Sequence, residues 1–437
     1  MKKVLIITYY WPPSGGAGVQ RWLKFAKYLR EFGWEPVIYT PENPEAPAID
    51  HSLLKDIPKG IEVIKTPIKE PYTIYKRFVG KKKDDSIKAG FLSEKKNPGL
   101  AEKISVWIRG NLFIPDARKF WIKPSIRFLK NYLSENPVDA MVSTGPPHSM
   151  HMIALGVKKA LGIPWLADFR DPWTNIDFYD KLMLTKRADR KHRALEKMVI
   201  RTSEISVAVN RRMGSELKEL GAQNVEVIYN GFDPDDFKGV EHISTGKFEI
   251  LHFGSINSDR NPVTFWKVLR QFINENPEVS GSLNVTLIGF VDHSVSSEIS
   301  KNDLEKFVHI LPYQSHNDII LKASGASIFL LPLNNTPNAK GITSGKLFEY
   351  LALNRPVYCI GPENGDAASI IRECNAGISI DFYDKEKMKT YLKEFYSLFR
   401  EQKLDNNIDL SKTAKYSRIH LTRQLAENLD KIVLRNY

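Results

Sequence analysis

The feature that most constrains the fold of this chain is a series of short apolar runs, each followed by a polar loop and a segment with helical spacing. Runs such as residues 4–9 and 326–333 are apolar without alternation, as in strands that are buried on both faces of a parallel sheet. Strand and helix patterns alternate along the whole chain, which predicts parallel sheets covered by helices on both faces.

The length of the chain predicts more than one domain, because 437 residues exceed the usual size of a single core. We expect a first domain at residues 1–235, which carries a basic insertion at about 66–135. A linker near 230–245 leads into a second domain at 236–410. Residues 411–437 have helical spacing, and we expect this helix to pack back on the first domain.

The loop after the first predicted strand reads W-P-P-S-G-G-A-G and precedes a predicted helix and a second strand. This is the layout with which doubly wound sheets hold phosphate. A dinucleotide fingerprint is a poor match, because Arg21 stands where a third small residue is needed. We therefore expect Gly15 and Gly16 to approach a phosphate or a sugar. The alternative is a tight turn that requires glycine for its backbone conformation.

Polar residues follow two further predicted strands, at the end where α/β sheets bind ligands. His148 follows the strand at 138–143, and Asp168, Arg170 and Asp171 lie in the motif D-F-R-D-P-W. Carboxylates and an arginine are costly to bury unpaired. We expect Asp168 to pair with Arg170, and Asp171 or Asp168 to face a polyhydroxyl substrate. The alternative is that all three pair structurally.

The segment 341–356 reads G-I-T-S-G-K-L-F-E-Y-L-A-L-N-R-P and follows a predicted buried strand. Thr343 or Ser344 can cap a helix whose amino terminus presents unpaired N–H groups to an anion. Lys346 is unfavourable for the first turn of the helix itself, so an anionic ligand would explain it. Glu349 lies one turn further and can accept two ribose hydroxyls. An ordinary cap followed by a solvated glutamate accounts for the same pattern.

The net charge of +12 belongs to the first half of the chain. Residues 1–210 hold 36 Lys and Arg against 22 Asp and Glu, whereas residues 211–437 hold 27 against 29. No zinc finger or RNA-reading motif accompanies this charge, so we expect no nucleic acid partner. An anionic membrane surface or an acidic substrate is the simpler inference.

The predicted insertion combines basic and aromatic residues. Its basic run K-R-F-V-G-K-K-K covers 76–83, and aromatic and basic residues interleave between 107 and 130. This mixture suits a membrane interface or an acidic acceptor. An amphipathic helix that packs its aromatic side chains inward is an equally good interpretation.

The remaining composition indicates a cytoplasmic protein. Cys359 and Cys374 have neither disulfide-framework nor zinc-site spacing, which fits a reducing compartment. The first apolar run is too short for a signal peptide, and no run approaches the 18 apolar residues of a membrane span.

These motifs together resemble the retaining glycosyltransferases of family 4. The resemblance implies a GT-B fold, in which two doubly wound parallel-sheet (Rossmann-like) domains of α/β class face one another across a cleft. It also implies a nucleotide-sugar donor. We expect no required cofactor or metal, because fixed cations such as Arg260 and Lys346 can remove the need for a metal. Residue roles carried over from the family place Gly15 and Gly16 near the donor, and assign Arg260 to the diphosphate and Glu349 to the ribose. Main-chain N–H groups of Thr343, Ser344 and Gly345 hold phosphate, with added charge from Lys346.

This sequence departs from the family pattern at several positions. Ser255 replaces the first residue of the basic pair that contacts the diphosphate, and Gly341 replaces the first glutamate of the E-x(7)-E motif. Arg170 stands near the position of the family histidine that helps transfer, so Asp168, Arg170, Asp171 or His148 would substitute for it. Asp233 and Asp235 have DxD spacing but lie in a predicted linker turn.

We therefore expect a glycosyltransferase that moves a sugar from a UDP- or GDP-linked donor to a lipid-linked or surface-polysaccharide acceptor. We expect it to be peripheral on the inner face of the membrane. The alternatives are a nucleotide-sugar epimerase and a protein that binds a nucleotide sugar without chemistry.

Overall fold

The structure is a computed structural model that describes residues 1–45, 49–70, 100–176, 178–404 and 408–434. It divides the chain into two compact units: Met1–Tyr229 together with Leu421–Tyr437, and Asn230–His420. Each unit is built on one parallel sheet, which confirms the predicted α/β fold class of two doubly wound, Rossmann-like domains.

The first unit contains a seven-stranded parallel sheet in the order β3-β2-β1-β4-β5-β6-β7. Its strands are β1 (Lys2–Ile7), β2 (Trp34–Pro41), β3 (Glu62–Thr66), β4 (Ala140–Gly145), β5 (Trp165–Phe169), β6 (Ile205–Ala208) and β7 (Val225–Val227). The helices between them are α1 (Ala17–Leu29), α2 (Leu100–Leu112), α3 (Lys119–Glu135), α4 (Ser149–Leu161), α5 (Lys186–Thr202) and α6 (Arg211–Glu219).

The strands of this sheet are apolar on both faces because each face supports a core. In β1, Val4 and Ile6 belong to one buried apolar cluster, whereas Leu5 and Ile7 belong to another on the opposite face. This two-sided burial explains why the run reads as continuous instead of alternating.

The second unit contains a six-stranded parallel sheet in the order β10-β9-β8-β11-β12-β13. Its strands are β8 (Phe248–Phe253), β9 (Leu283–Ile288), β10 (Val308–Leu311), β11 (Ile328–Pro332), β12 (Val357–Ile360) and β13 (Gly377–Ile380). Its helices are α7 (Val263–Glu275), α8 (His293–Lys301), α9 (His316–Ala323), α10 (Gly345–Ala352), α11 (Asp366–Glu373), α12 (Lys385–Arg400) and α13 (Leu410–Thr413).

The last helix, α14 (Arg418–Leu434), contributes an apolar stripe to the first unit. Leu421, Leu425 and Leu429 recur every four residues and are buried in the same apolar cluster as Leu23 and Ala26 of α1. They therefore cover part of one face of the seven-stranded sheet.

The predicted basic insertion is described only in part. The run at 76–83 lies outside the described residues, whereas α2 and α3 lie within them. The aromatic residues of these helices are divided: Trp121 is buried, but Trp107, Phe120 and Phe128 remain 39%, 53% and 38% exposed. Some of these aromatic side chains pack inward and others remain exposed. Neither the interpretation as a membrane or acceptor interface nor the interpretation as an inward-packing helix therefore fits all of them.

None of the helices among the described residues has the length and apolar character that a membrane span requires.

Candidate functional site

The topology of each sheet indicates where it would bind a ligand. In each sheet the strand order reverses, between β1 and β4 in the first unit and between β8 and β11 in the second. At such a reversal the loops after the two strands diverge and leave a crevice at the carboxyl ends of the strands. Most of the candidate residues from the sequence lie in loops or helix starts at these two reversals; Asp168 and Arg170 lie at the end of the neighbouring strand β5.

An arginine that directly follows β5 contacts the glycine loop after β1. Gly16 has a φ of 96° and directly precedes α1. Arg170 donates a hydrogen bond of 3.0 Å to the carbonyl of Gly18 and another to the carbonyl of Pro146. A Cβ at Gly18 would lie 2.6 Å from Nη1 of Arg170, so a larger residue there would displace the Arg170 side chain. Gly15 is buried in this loop.

Asp168 has a different partner from the one that we expected. The prediction that it pairs with Arg170 is wrong, because its carboxylate forms a buried ion pair of 2.8 Å with Arg21 of α1. Trp22 and Thr144 donate further hydrogen bonds of 2.7 and 2.8 Å to the same carboxylate. The Asp168 side chain is fully buried and joins α1 to two strands, so it does not face a ligand.

The direction of the pKa shift of Asp168 agrees with these contacts. Burial by itself would raise the pKa of the carboxyl. The charge of Arg21 and the hydrogen bonds from Arg21, Trp22 and Thr144 outweigh burial and hold the pKa below its ordinary value. Asp168 is therefore an ionised structural group at neutral pH.

Arg170 and Asp171 lie beyond the end of β5. The guanidinium carbon of Arg170 is 5.9 Å from the ring centre of Tyr10, and Asp171 is exposed. Of the D-F-R-D residues, these two remain candidates for contact with a substrate.

His148 lies at the start of α4, and its ring stacks on Trp173 with a centroid distance of 4.3 Å. Burial, and then the neighbouring His151, hold its pKa well below the ordinary value, so the imidazole is neutral at pH 7. Its Nδ1 is buried without a hydrogen-bond partner among the described residues. A neutral ring nitrogen of this kind can accept a proton or a hydrogen bond from a ligand.

A second histidine beside it was not predicted from the sequence. His151 shares a hydrogen bond of 2.7 Å with Ser143, and burial lowers its pKa to about 3. A Cβ at Gly145 would lie 2.6 Å from Nε2 of His151 and 3.0 Å from Nδ1 of His148, so both ring nitrogens approach the end of β4. The spacing of the two histidines in H-S-M-H, three apart at a helix start, was the available signal.

In the second unit, Lys346 of α10 reaches across the end of β8. Gly254 has a φ of 106°, and any Cβ there would overlap the Lys346 side chain. Burial, and then the charge of Arg260, lower the pKa of Lys346 to about 7, while Glu349 acts in the opposite direction. The ammonium is thus held close to a second cation.

Arg260 is fixed beside the same strand end. It donates hydrogen bonds of 3.0 Å to the side chain of Asn334 and to the carbonyl of Ser255.

His252, at the end of β8, is buried, and its Nε2 has no hydrogen-bond partner among the described residues. Burial, and then the charge of Lys346, keep the pKa of His252 well below its ordinary value.

The amino terminus of α10 is not capped by a side chain. Ser344 occupies the N-cap position, but its side chain makes no cap hydrogen bond, so the predicted cap is wrong in this respect. Thr343 has a buried Oγ1 without a partner among the described residues, and Gly345 is exposed. The first N–H groups of the helix therefore have no side-chain cap acceptor, as an anion site requires.

Glu349 lies one turn further along α10 and contacts a residue that was not predicted. Nε2 of His316, the first residue of α9, is 3.0 Å from Oε1 of Glu349. The two side chains are 16% and 20% exposed. No local pattern in the sequence indicates this contact, because the residues are 33 positions apart.

Gly341, a departure from the family motif, and the Asp233–Asp235 pair each lie in a short helical turn. Gly341 ends a short 3-10 helix, Ala339–Gly341. Asp233 accepts a hydrogen bond from the N–H of Asp235 and caps another 3-10 helix, Pro234–Phe237. Its carboxylate thus has a local structural role within the predicted turn.

A cavity of about 290 Å³ lies beside Arg260, at the carboxyl ends of β11 and β12. Its polar lining includes Asp259, Asn335 and Tyr383. The Asn335 amide donates a hydrogen bond of 2.7 Å to the Tyr383 hydroxyl. Aromatic and amide groups of this kind are suited to a sugar ring and its hydroxyls.

Residues 91–236 match the family model described as Glycosyltransferase Family 4. The predicted resemblance is thus confirmed by a match that covers about a third of the chain. No curated protein sequence matches the chain.

Solved structures that cover nearly the whole chain share its fold at low identity. HepE of Anabaena, solved with UDP and glucose, is 14% identical with a TM-score of 0.60, over 99% of this chain and all of that one. Sucrose-phosphate synthase of Thermosynechococcus elongatus is 10% identical with a TM-score of 0.62, over 100% of both chains. A protein of Listeria monocytogenes described as a putative UDP-N-acetylglucosamine 2-epimerase is 9% identical with a TM-score of 0.54, over 100% and 97%. These similarities confirm the GT-B fold.

The first testable prediction concerns Asp168. Asp168→Asn should lower the free energy of unfolding by about 3–5 kcal/mol, because it leaves Arg21 buried without its counter-charge. Asp180→Asn is the matched control at an exposed site and should change stability by less than about 0.5 kcal/mol. Chemical denaturation followed by circular dichroism measures both. Equal stability of the two variants would contradict the structural role of Asp168.

The second prediction concerns Lys346. A nucleoside diphosphate bound here should raise the lowered pKa of Lys346, so binding takes up a proton and weakens as the pH rises above about 7. Titration calorimetry of UDP and GDP in buffers of different ionisation enthalpy measures this uptake. Lys346→Arg, which stays charged, should bind without proton uptake. Persistent uptake in that variant would assign the proton to another group.

Proposed function

We propose that this chain, which carries a Glycosyltransferase Family 4 segment on a GT-B fold, transfers a sugar from a nucleotide-sugar donor to a lipid-linked or surface-polysaccharide acceptor, with retention. The observation that carries the proposal is the convergence of Lys346, Arg260 and the uncapped start of α10 at the end of β8. Such a group of positive charges, held in place before any ligand arrives, is suited to a diphosphate.

The donor site follows from this arrangement. The diphosphate lies against Lys346, Arg260 and the N–H groups at residues 343–345, and Glu349 accepts the ribose hydroxyls. The donor sugar occupies the cavity beside Arg260, where Asp259 and Asn335 replace the hydroxyl contacts of the glutamate that is missing at Gly341. UDP- and GDP-linked sugars are the donor classes that we propose.

Transfer of the sugar from the diphosphate requires stabilisation of charge in the transition state more than it requires a strong base. Cleavage of the sugar–diphosphate bond builds negative charge on the leaving phosphate and positive character at the anomeric carbon. Lys346, Arg260 and the helix dipole stabilise the first charge without reorganisation. Fixed cations of this kind can take the place that a metal ion has in other transferases.

The first unit supplies the groups that we propose for the acceptor side. Arg170 and Asp171 lie beside the glycine loop of Gly15 and Gly16, and neutral His148 lies at the end of the adjacent strand. We propose that one of these three assists transfer. Their substitution should impair transfer and leave nucleotide affinity unchanged.

We further propose that the first unit binds an anionic membrane surface. Helices α2 and α3 expose Ile104, Trp107, Leu112, Phe120 and Phe128, whose side chains are 38–54% exposed. The ammonium of Lys119 lies 5.3 and 5.1 Å from the ring centres of Phe113 and Phe120, so cationic and aromatic groups share one surface. Such a surface, here called the α2–α3 surface, suits the boundary between headgroups and acyl chains.

Arg260→Ala should lower the turnover of the donor more than it raises the Michaelis constant, since its partner gains charge in the transition state. Release of sugar from a panel of UDP- and GDP-linked sugars, followed by mass spectrometry, measures turnover even without the acceptor. Lys301→Ala, on the exposed face of α8, is the control and should leave both constants unchanged. An effect on the Michaelis constant alone would favour passive binding, and accumulation of an isomeric donor would identify an epimerase.

The α2–α3 surface gives a separate prediction. Wild-type protein should sediment with anionic vesicles, and binding should fall with added salt, because each Lys or Arg near the surface contributes about 1 kcal/mol of screened attraction. The double variant Trp107→Ser, Phe120→Ser should lose the part of the vesicle binding that remains at high salt. Leu321→Ser, at an exposed apolar residue of α9, is the control. Equal binding to neutral and anionic vesicles, or none to either, would contradict the proposal.

A further inference from the structure

We propose that His316 is a positioning residue for Glu349, and that this pair makes the protein select ribonucleotides over deoxyribonucleotides. The inference rests on the proposed function, because it takes Glu349 as the group that accepts the ribose hydroxyls. It adds a residue that no family motif in this chain supplies, and it assigns a specificity to the contact.

The direction of the hydrogen bond follows from the chemistry of its two groups. An ionised carboxylate can only accept, so the 3.0 Å contact requires that Nε2 of His316 carries a hydrogen and donates it to Oε1 of Glu349. The other carboxylate oxygen, Oε2, has no hydrogen-bond partner within the described part of the chain. One oxygen is thus held and the other remains open to a ligand.

The backbone holds His316 in a defined position. It is the first residue of α9, directly after Ser315, whose side chain accepts a hydrogen bond from the N–H of Asp318 and caps the helix. Strand β10 ends only a few residues earlier, at Leu311, so the loop that carries His316 starts from the carboxyl edge of the sheet. The loop that carries His316 therefore begins at the end of β10 and finishes at the capped start of α9, where His316 contacts Glu349.

A fixed partner matters because a glutamate side chain has three rotatable bonds and loses considerable freedom when it binds a ligand. The hydrogen bond from His316 restricts that freedom before the nucleotide arrives. The carboxylate is then already oriented for two adjacent hydroxyls, which donate one hydrogen bond to Oε2 and one to the remaining acceptor site of Oε1. A sugar without the 2′-hydroxyl loses one of these bonds, and the loss is greatest when the carboxylate cannot turn to compensate.

The test compares the dissociation constants of UDP and 2′-deoxy-UDP, and of GDP and 2′-deoxy-GDP, by titration calorimetry on the full chain. Wild-type protein should prefer the ribonucleotide of the base that it binds by about tenfold or more, the usual contribution of a hydrogen bond to a charged acceptor. His316→Ala should reduce this preference to about twofold, mainly through weaker binding of the ribonucleotide. His316→Gln, which retains an N–H donor, should restore much of it.

Two controls separate positioning from a loss of structure. His309→Ala, on the exposed part of β10, should leave the preference unchanged. A merely structural role of His316 would weaken binding of both nucleotides equally and would leave their ratio intact. An unchanged ratio in His316→Ala, or an equally low ratio in His316→Gln, would therefore overturn the inference.

Glu349→Ala separates this inference from the proposed function. If that variant loses the preference and His316→Ala keeps it, Glu349 binds the ribose and only the role of His316 is wrong. If Glu349→Ala keeps the preference, or if wild-type protein binds neither nucleotide, the proposed donor site fails and the inference fails with it.

Discussion

Two basic side chains, Lys346 and Arg260, converge at the end of β8, and the burial of Lys346 together with its repulsion from Arg260 is the constraint on which our account of the second unit depends. Burial and the charge of Arg260 lower the pKa of Lys346 to about 7, so the free protein carries an electrostatic cost at this position. The uncapped start of α10 adds further positive potential. An anion that binds there relieves the repulsion, and this is why we interpret the group as a ready-made diphosphate site.

The arrangement of each unit follows from parallel strands whose order reverses. The reversal between β8 and β11 lets Lys346, which follows β11, reach Gly254 at the end of β8. In the first unit, the buried pair of Arg21 and Asp168 ties α1 and its glycine loop to β5. Arg170, two residues further along, then closes on Gly18. Burial of one ion pair thus orients the residues that we propose for the acceptor side.

The sequence predicted the elements well and the contacts between them poorly. The apolar runs at 4–9 and 326–333 overlap β1 and β11, because a buried parallel strand is a continuous apolar run. Lys346 and Glu349 were expected in a helix that follows a buried strand, and Arg260 was assigned from the family resemblance; all three lie in segments that follow strands of the six-stranded sheet. The pair of Arg21 with Asp168 spans 147 positions, and that of His316 with Glu349 spans 33, so no local pattern contains either. The exposure of Phe120 beside buried Trp121 depends equally on which neighbours cover each ring.

The central claim is that the second unit holds the diphosphate of a nucleotide sugar, and a thermal-shift screen tests it most directly. UDP, GDP, CDP, ADP and their common sugar conjugates are each added to the full chain. At about 100 times its dissociation constant, a true ligand should stabilise the folded protein by about 2.7 kcal/mol. We predict a raised melting temperature with at least one UDP- or GDP-linked compound, and a much smaller shift in a double variant Arg260→Ala, Lys346→Ala. No shift with any compound, or the same shift in that variant, would contradict the account.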